Sequence, residues 1–419
     1  MHKQIWRRTG GVCAAAAVVL VFVFAANADA GPVAGVRSAS RFTSQAPNAA
    51  ASGKSIRKAA AAAQSPAALA ATLTPAQLAG QRVIYSYSGL TPPSALLTLI
   101  RHGEVGGVIF FSSNFSNTAQ FTAAVATLIA NNSLAQNPAH NFPLLLMTDQ
   151  EGGLVRRLPG APVLSEKQIG SLPTPAQRAA AATAAGTGAG QNLLSFGLNM
   201  NLAPVLDVFR APGNFDDRFQ RSYSMNPVTV SRLGSLFITA QQATGVAATA
   251  KHFPGLGAAT ASQNTDLVPV TITLSKSTIQ SVDEAPFAAA IAAGVKLVMV
   301  SWARYPNLGS SRPAGLSSVI VQGQLRRRLG FTGVTITDAI GAGALRNNGS
   351  IQNRSLLAAQ AGMQLILTSS LTEAGQALAG LQTGFNNGSL SQSVFRANVA
   401  QILTLRGGLP DPSIGFGRA

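Results

Sequence analysis

Carboxylates and cations stand where the short apolar runs of this chain give out. Asp149 and Glu151 follow Leu144–Thr148, and Asp207 closes the stretch that begins with Leu198–Leu202. Lys251 and His252 follow Val246–Thr249, Ser301 and Trp302 follow Lys296–Val300, and Asp338 follows Gly333–Thr337. Such side chains grip a polar ligand, carry a proton or attack an electrophile. Acidic residues number only 14 in 419, so their recurrence at the ends of apolar runs is a pattern to explain. Helix capping by each acid in turn is one explanation. For the Lys251-His252 pair, a solvated Lys and a turn-capping His is another.

The elements that must present these residues read as eight buried strands. They are Arg82–Ser86, Gly107–Phe111, Leu144–Thr148, Leu198–Leu202, Val246–Thr249, Lys296–Val300, Gly333–Thr337 and Gln364–Thr368. Amphipathic or Ala-rich helices are expected between them, among them Ala176–Phe196, Val228–Thr244 and Ser317–Leu329. Alternation of this kind predicts an α/β fold, a single (β/α)8 TIM barrel, with chemistry at the C-terminal strand ends. A doubly wound open sheet is the competitor, but no Gly-rich phosphate loop follows the first strand.

Hydrophobic residues make up 47% of the chain and charged residues 11%, which excludes a disordered tail. The net charge of +17 favours anionic partners such as a cell-wall polymer or a membrane surface. The cations are scattered and no nucleic-acid motif accompanies them, so nucleic-acid binding is not expected. Residues 1–30 read as an export signal: Lys3, Arg7 and Arg8 precede an apolar run ending in small residues, with an uncleaved anchor as the alternative. Residues 31–72, rich in Ala, Ser and Gln, read as a flexible linker, and 73–419 as the folded domain. Cys13 is the only cysteine and lies before the apolar run, so an exported mature chain has no thiol chemistry. The few His residues show no metal-ligand spacing, and neither metal nor cofactor is expected.

Five motifs in order resemble glycoside hydrolase family 3. They are Asp149–Arg157, Asn201–Asp207, Arg221-Ser222-Tyr223, Lys251–Gly255 and Thr335–Asp338. The single-barrel branch of bacterial β-N-acetylhexosaminidases is the nearest, and Pro254 suits it. The resemblance spans roughly Leu73 to Gly408. It implies an exported, retaining enzyme acting on a β-linked sugar, in which Asp338 is the nucleophile and a following helix N-terminus keeps it ionised. It implies that Asp149 grips sugar hydroxyls and that Arg157, Arg221, Lys251 and His252 line the sugar subsite. Glu151 falls behind these residues. Asp207 contacts sugar or orients Lys251 or Arg221.

The chain departs from that branch after Gly255. The branch carries Gly-His-Gly and then Asp-Ser-His, whose Asp-His dyad is its acid/base. Here Leu256 replaces the first His, Ser262 the dyad Asp and Asn264 the catalytic His. Asp266 is the one carboxylic acid left in the loop and the candidate acid/base, or else a turn residue capping local backbone. Asp216, Asp217, Asp283 and Glu284 are further acids to consider, the last two as the start of a helix. The leading expectation is hydrolysis of a β-N-acetylhexosaminide of cell-wall origin. The alternatives are a weak or inactive barrel that binds glycan, and a phosphorylase or transglycosidase.

Overall fold

The structure, a computed structural model, describes residues 64–411. Eight parallel strands close on themselves into a barrel. In chain order they are β1 (Val83–Tyr85), β2 (Gly107–Ile109), β3 (Leu145–Thr148), β4 (Met200–Asn201), β5 (Ala247–Phe253), β6 (Leu297–Val300), β7 (Val334–Ala339) and β8 (Leu365–Leu367). Each pairs with its sequence neighbour, and β8 returns to β1 through Val83↔Ile366 and Ile84↔Leu367. Closure excludes the open sheet and gives the (β/α)8 barrel expected from the alternation of apolar runs and helices. The strand periodicity shows why. Ile84, Leu145, Met147, Leu297, Met299, Val334 and Ile336 fill the barrel interior. Their neighbours Val83, Leu146, Val298 and Val300 pack outward under the helices. Both faces are apolar, so each strand reads as an unbroken hydrophobic run.

Helices Pro175–Ser195 and Pro227–Ala243 lie within a residue of expectation. The stretch expected at Ser317–Leu329 forms over Val319–Arg328, wound as a π-helix. The linker expectation for residues 31–72 is corrected at its end. Pro66–Thr72 is a helix capped by Ser65 that buries Leu69 and Ala70. It packs against the C-terminal helix Gln392–Gly407, whose Arg396 donates to the Ala70 carbonyl at 2.6 Å. Two apolar side chains four residues apart, Leu69 and Leu73, are enough to dock one turn, and Ala-rich composition masks them. The export signal and residues 31–63 lie outside the described residues. Among the described residues, no helix is long and apolar enough to cross a membrane.

Buried arginines fasten the barrel seam. Arg82 donates to the carbonyls of Gln364 (3.0 Å) and Met363 (2.7 Å) across the β1–β8 closure and lies over the Phe395 ring at 4.2 Å. Arg406 donates to Pro143 and Phe142 carbonyls and to the Gln81 side chain. Removing one such donor leaves buried carbonyls unpaired. Arg82→Ala is expected to lower stability by about 2–4 kcal/mol in urea unfolding.

Candidate active site

The turn chemistry after β3 brings Asp149 and Arg157 together. Gly152 and Gly153 take φ of 111° and 55°, a conformation open to glycine but strained for other residues. They reverse the chain into a small antiparallel hairpin, Gln150–Gly152 against Val155–Arg156. The Arg157 N–H then donates to the Asp149 carbonyl at 3.3 Å. Gln150 holds the hairpin base, accepting from Arg157 and Leu158 N–H and donating to the Leu158 and Ala161 carbonyls. Asn201, on β4, fixes the Gln150 backbone from below through both its N–H and its carbonyl.

Behind this wall lies a chain of alternating charges. Lys251 Nζ sits 2.7 Å from both Asp149 Oδ1 and Glu151 Oε1. Arg221 forks onto the same Glu151 through Nε (3.0 Å) and Nη2 (2.9 Å), and its Nη1 reaches Asp216 at 3.4 Å. Lys251 and Glu151 are only 1% and 2% exposed, so each charge is tolerated because opposite charges surround it. Burial alone would raise the Glu151 carboxyl, but Arg221 and Lys251 outweigh it and bring the pKa down to about 2. Burial likewise opposes the Lys251 charge, yet Asp149 and Glu151 hold its pKa above the ordinary value. Lys251 is therefore a fixed ammonium donor, unsuited to act as a base.

His252 is held from the other side. Its Nδ1 lies 2.7 Å from Asp207 Oδ2. The same carboxylate accepts from the Leu256 N–H at 2.5 Å. Burial works against the imidazolium, and the Asp207 charge and hydrogen bond raise its pKa nonetheless. Asp207 is fully buried and does not face the cavity. The expectation that it contacts sugar, or orients Lys251 or Arg221, is corrected: it orients His252 and the Pro254–Leu256 turn. Asp207, Asp216 and His252 form the one trio among the described residues with donor atoms within 4.8 Å of one another. Within it His252 Nδ1 already bonds Asp207 Oδ2 at 2.7 Å, so a metal would have to displace an ion pair already made.

The remaining expected residues converge on one cavity of about 400 Å³ at the C-terminal strand ends. Asp149, Arg157, Arg221, Lys251, His252, Asp266 and Asp338 all line it, over a floor that includes Leu202 and Met299. Asp338 accepts from the Ala339 N–H at 2.7 Å. No helix begins there: the strand runs on to Ala339, and the next α-helix starts at Ile351. The expected helix N-terminus is thus replaced by one backbone N–H. Trp302, buried after β6, donates to the Ala339 carbonyl at 2.9 Å and steadies that peptide. Asp266 stands on the loop after β5. The local capping there belongs to Asn264, whose Oδ1 accepts the Asp266 N–H at 2.8 Å. The Asp266 side chain is exposed at the cavity mouth, yet desolvation by the surrounding protein and the Asp338 charge push its carboxyl above the usual aspartate range.

The other acids fall into place around this core. Asp217 pairs with Lys167 and Asp283 with Arg210, each at 2.6 Å, and Glu284 pairs with Arg328. Glu284 sits at the N-cap of helix Ala285–Ala292, with Asp283 just before it. Glu166 was not legible as a site residue. It opens helix Glu166–Gly170 and looks like any first-turn acid, yet it accepts the Val205 N–H at 2.8 Å. Burial and the charge of Glu151 raise its carboxyl well above the usual range. Phe215 and Phe219, which line the cavity, carried no signal beyond their apolarity.

Comparison with known proteins bears on this geometry. Residues 76–405 match the glycosyl hydrolase family 3 N-terminal domain. The chain belongs to glycoside hydrolase family 3. An uncharacterized secreted glycosyl hydrolase of Arthroderma benhamiae is 45% identical over 78% of this chain and 92% of its own length. A β-hexosaminidase of Xylella fastidiosa (strain M23) is 33% identical over 64% of this chain and 77% of its own. A solved family 3 β-N-acetylglucosaminidase from Paenibacillus sp. str. FPU-7 superposes with a TM-score of 0.75 at 33% identity, covering 83% of this chain and 64% of that one. This family 3 member is a glycoside hydrolase, β-N-acetylhexosaminidase-like.

The charge chain makes a pH-dependent prediction. A carboxyl lowered from 4.5 to about 2 contributes about 3 kcal/mol. That stabilisation is complete above about pH 4.5 and is lost as pH falls towards 2. In urea unfolding, Glu151→Gln should lie about 3 kcal/mol below wild type at pH 7. The gap should narrow steadily below about pH 4.5.

Proposed function

We propose that this protein is a retaining glycoside hydrolase that cleaves a β-linked N-acetylhexosamine, with Asp338 as nucleophile and Asp266 as acid/base. The observation that carries the reading is the convergence of these two carboxylates, from β7 and from the loop after β5, on the cavity walled by Asp149, Arg157, Arg221, Lys251 and His252. The cations and Asp149 orient the sugar through its hydroxyl and acetamide groups. The Asp338 carboxylate attacks the anomeric carbon while Asp266 gives its proton to the departing oxygen, leaving a glycosyl ester on Asp338. Water, deprotonated by Asp266, then attacks the same carbon and releases Asp338. The Asp338 charge helps hold the proton on Asp266. Esterification removes that charge, so Asp266 becomes the stronger acid and is ready to act as base when water arrives.

The reading of residues 1–30 as an export signal supports action outside the cytoplasm, as does the name of the Arthroderma relative, a secreted glycosyl hydrolase. The +17 charge suits a substrate embedded in anionic cell-wall material.

Purified protein incubated with aryl β-N-acetylglucosaminide and aryl β-glucoside tests the assignment. Turnover should favour the first and vanish in Asp338→Ala; turnover that survives that substitution would overturn the nucleophile. Asp266→Asn should lose about 10²–10⁴-fold on a poorly activated leaving group, much less on an activated aryl group, and recover with azide. The alkaline limb of kcat/KM should sit above the usual aspartate range and disappear in Asp266→Asn. Glycan binding without turnover of any activated glycoside would instead mark a binding barrel, the reading that the replacement of the Asp-His dyad by Ser262 and Asn264 favours.

A further inference from the structure

Asp266 stands on a loop, yet its backbone is tied down on both sides. Upstream, the Phe215 N–H donates to the Ala259 carbonyl at 3.0 Å, and Arg218 Nη1 donates to the Ala261 carbonyl at 3.0 Å. Thr265 is 3% exposed. Downstream, the N–H groups of Leu267 and Val268 both return to the Asn264 carbonyl, at 3.0 and 2.9 Å. The shortest tie comes from the segment that follows the nucleophile. After β7 the chain makes a short 3₁₀ turn, Gly343–Leu345, whose Ala344 and Leu345 are buried. Gly343 N–H donates to the Asp266 carbonyl at 2.7 Å, and Ala344 N–H donates to the Thr265 carbonyl at 3.0 Å.

This seam is close enough to exclude any side chain at position 343. A Cβ there would lie 2.2 Å from the Leu267 carbonyl oxygen, 2.5 Å from its carbon and 2.9 Å from the Asp266 oxygen. All three contacts are backbone, so relief requires the Asp266–Leu267 segment itself to move. The requirement is for space: Gly343 is not among the glycines with positive φ.

We infer that Gly343 is a positioning residue, docking the Asp266 loop onto the segment behind Asp338 so that proton donor and nucleophile are held at a fixed separation. The inference rests on the roles assigned to Asp266 and Asp338 above. It means that the acid is built into the barrel rim and is not carried in and out by its loop. A shift of about 1 Å in a catalytic group reduces rate by up to about 10²-fold. The effect should concentrate on substrates whose leaving group needs the proton.

Gly343→Ala, assayed on aryl β-N-acetylglucosaminides of graded leaving-group pKa, tests this. Expected is a loss of about 10–10²-fold in kcat on the least activated substrate, little loss on the most activated, and an unchanged KM. In the Asp266→Asn background, Gly343→Ala should add no further loss, because the group it positions is gone. Gly375→Ala, where a Cβ meets nothing within 4 Å, controls for the exchange itself. Asn264→Ala, which frees the Asp266 N–H without adding an atom, should reproduce the leaving-group signature if Gly343→Ala folds poorly. Equal losses across all leaving groups and in both backgrounds would reduce Gly343 to a structural role and overturn the inference. So would full activity in Gly343→Ala. An Asp266→Asn enzyme unaffected on poor leaving groups would remove the acid assignment first, and the positioning role with it.

Discussion

Two cations in the wall of the cavity, Lys251 and Arg221, share one buried carboxylate, and the geometry of the site follows from that sharing. Glu151 is the hinge of the arrangement, contacted by Lys251 Nζ and by two nitrogens of Arg221. An isolated ammonium at such depth would shed its proton, and an isolated carboxylate would take one up. Together they remain charged, and each is fixed in direction by its partner. That rigidity lets Asp149, only partly buried, turn one oxygen to Lys251 while lining the cavity. Arg157 adds a cation whose Nε is buried and makes no hydrogen bond.

The same economy of acids accounts for the second ring of support. Asp207 gives one oxygen to His252 near the end of β5 and the other to the Leu256 N–H in the turn that follows. It thereby fixes the turn from which the Asp266 loop departs. Asp216, beside it, is pushed up to about 7 by burial and by the Asp207 charge. Below about pH 7 the protonated Asp216 carboxyl can sit close to a charged one without repelling it. Buried acids in this protein thus serve as anchors for cations and backbone, and the cavity-lining acids are Asp149, Asp266 and Asp338.

Much of this was legible in the residues because the barrel buries both faces of every strand, so the end of an apolar run is marked by the first residues that carry a charge or an imidazole. Asp149, Lys251, His252 and Asp338 are such residues, and all four reach the cavity. Asp207 was harder. Its direction depends on how the chain runs beyond the two residues of β4, through Leu202, Ala203 and Pro204, and no local pattern encodes that path. Glu166 was invisible for a related reason: Ser165 caps its helix, and only the tertiary fold brings Val205 to it. The 3₁₀ turn at Gly343, where the family resemblance implied a helix N-terminus after Asp338, is set by packing on Thr265 and Asp266, residues nearly eighty positions earlier. The helix at Pro66–Thr72 was hidden by composition, since two leucines among alanines do not announce a docking face.

The packed barrel interior has a consequence for traffic through the site. Ile109, Leu202, Met299 and Leu367 belong both to the cavity floor and to the interior cluster beneath it, so the cavity is a cul-de-sac. A molecule that enters must leave by the same mouth, in reverse order of entry. If one is cut inside, the fragment nearer the mouth departs first, and water reaches the deeper fragment only through the space it vacates.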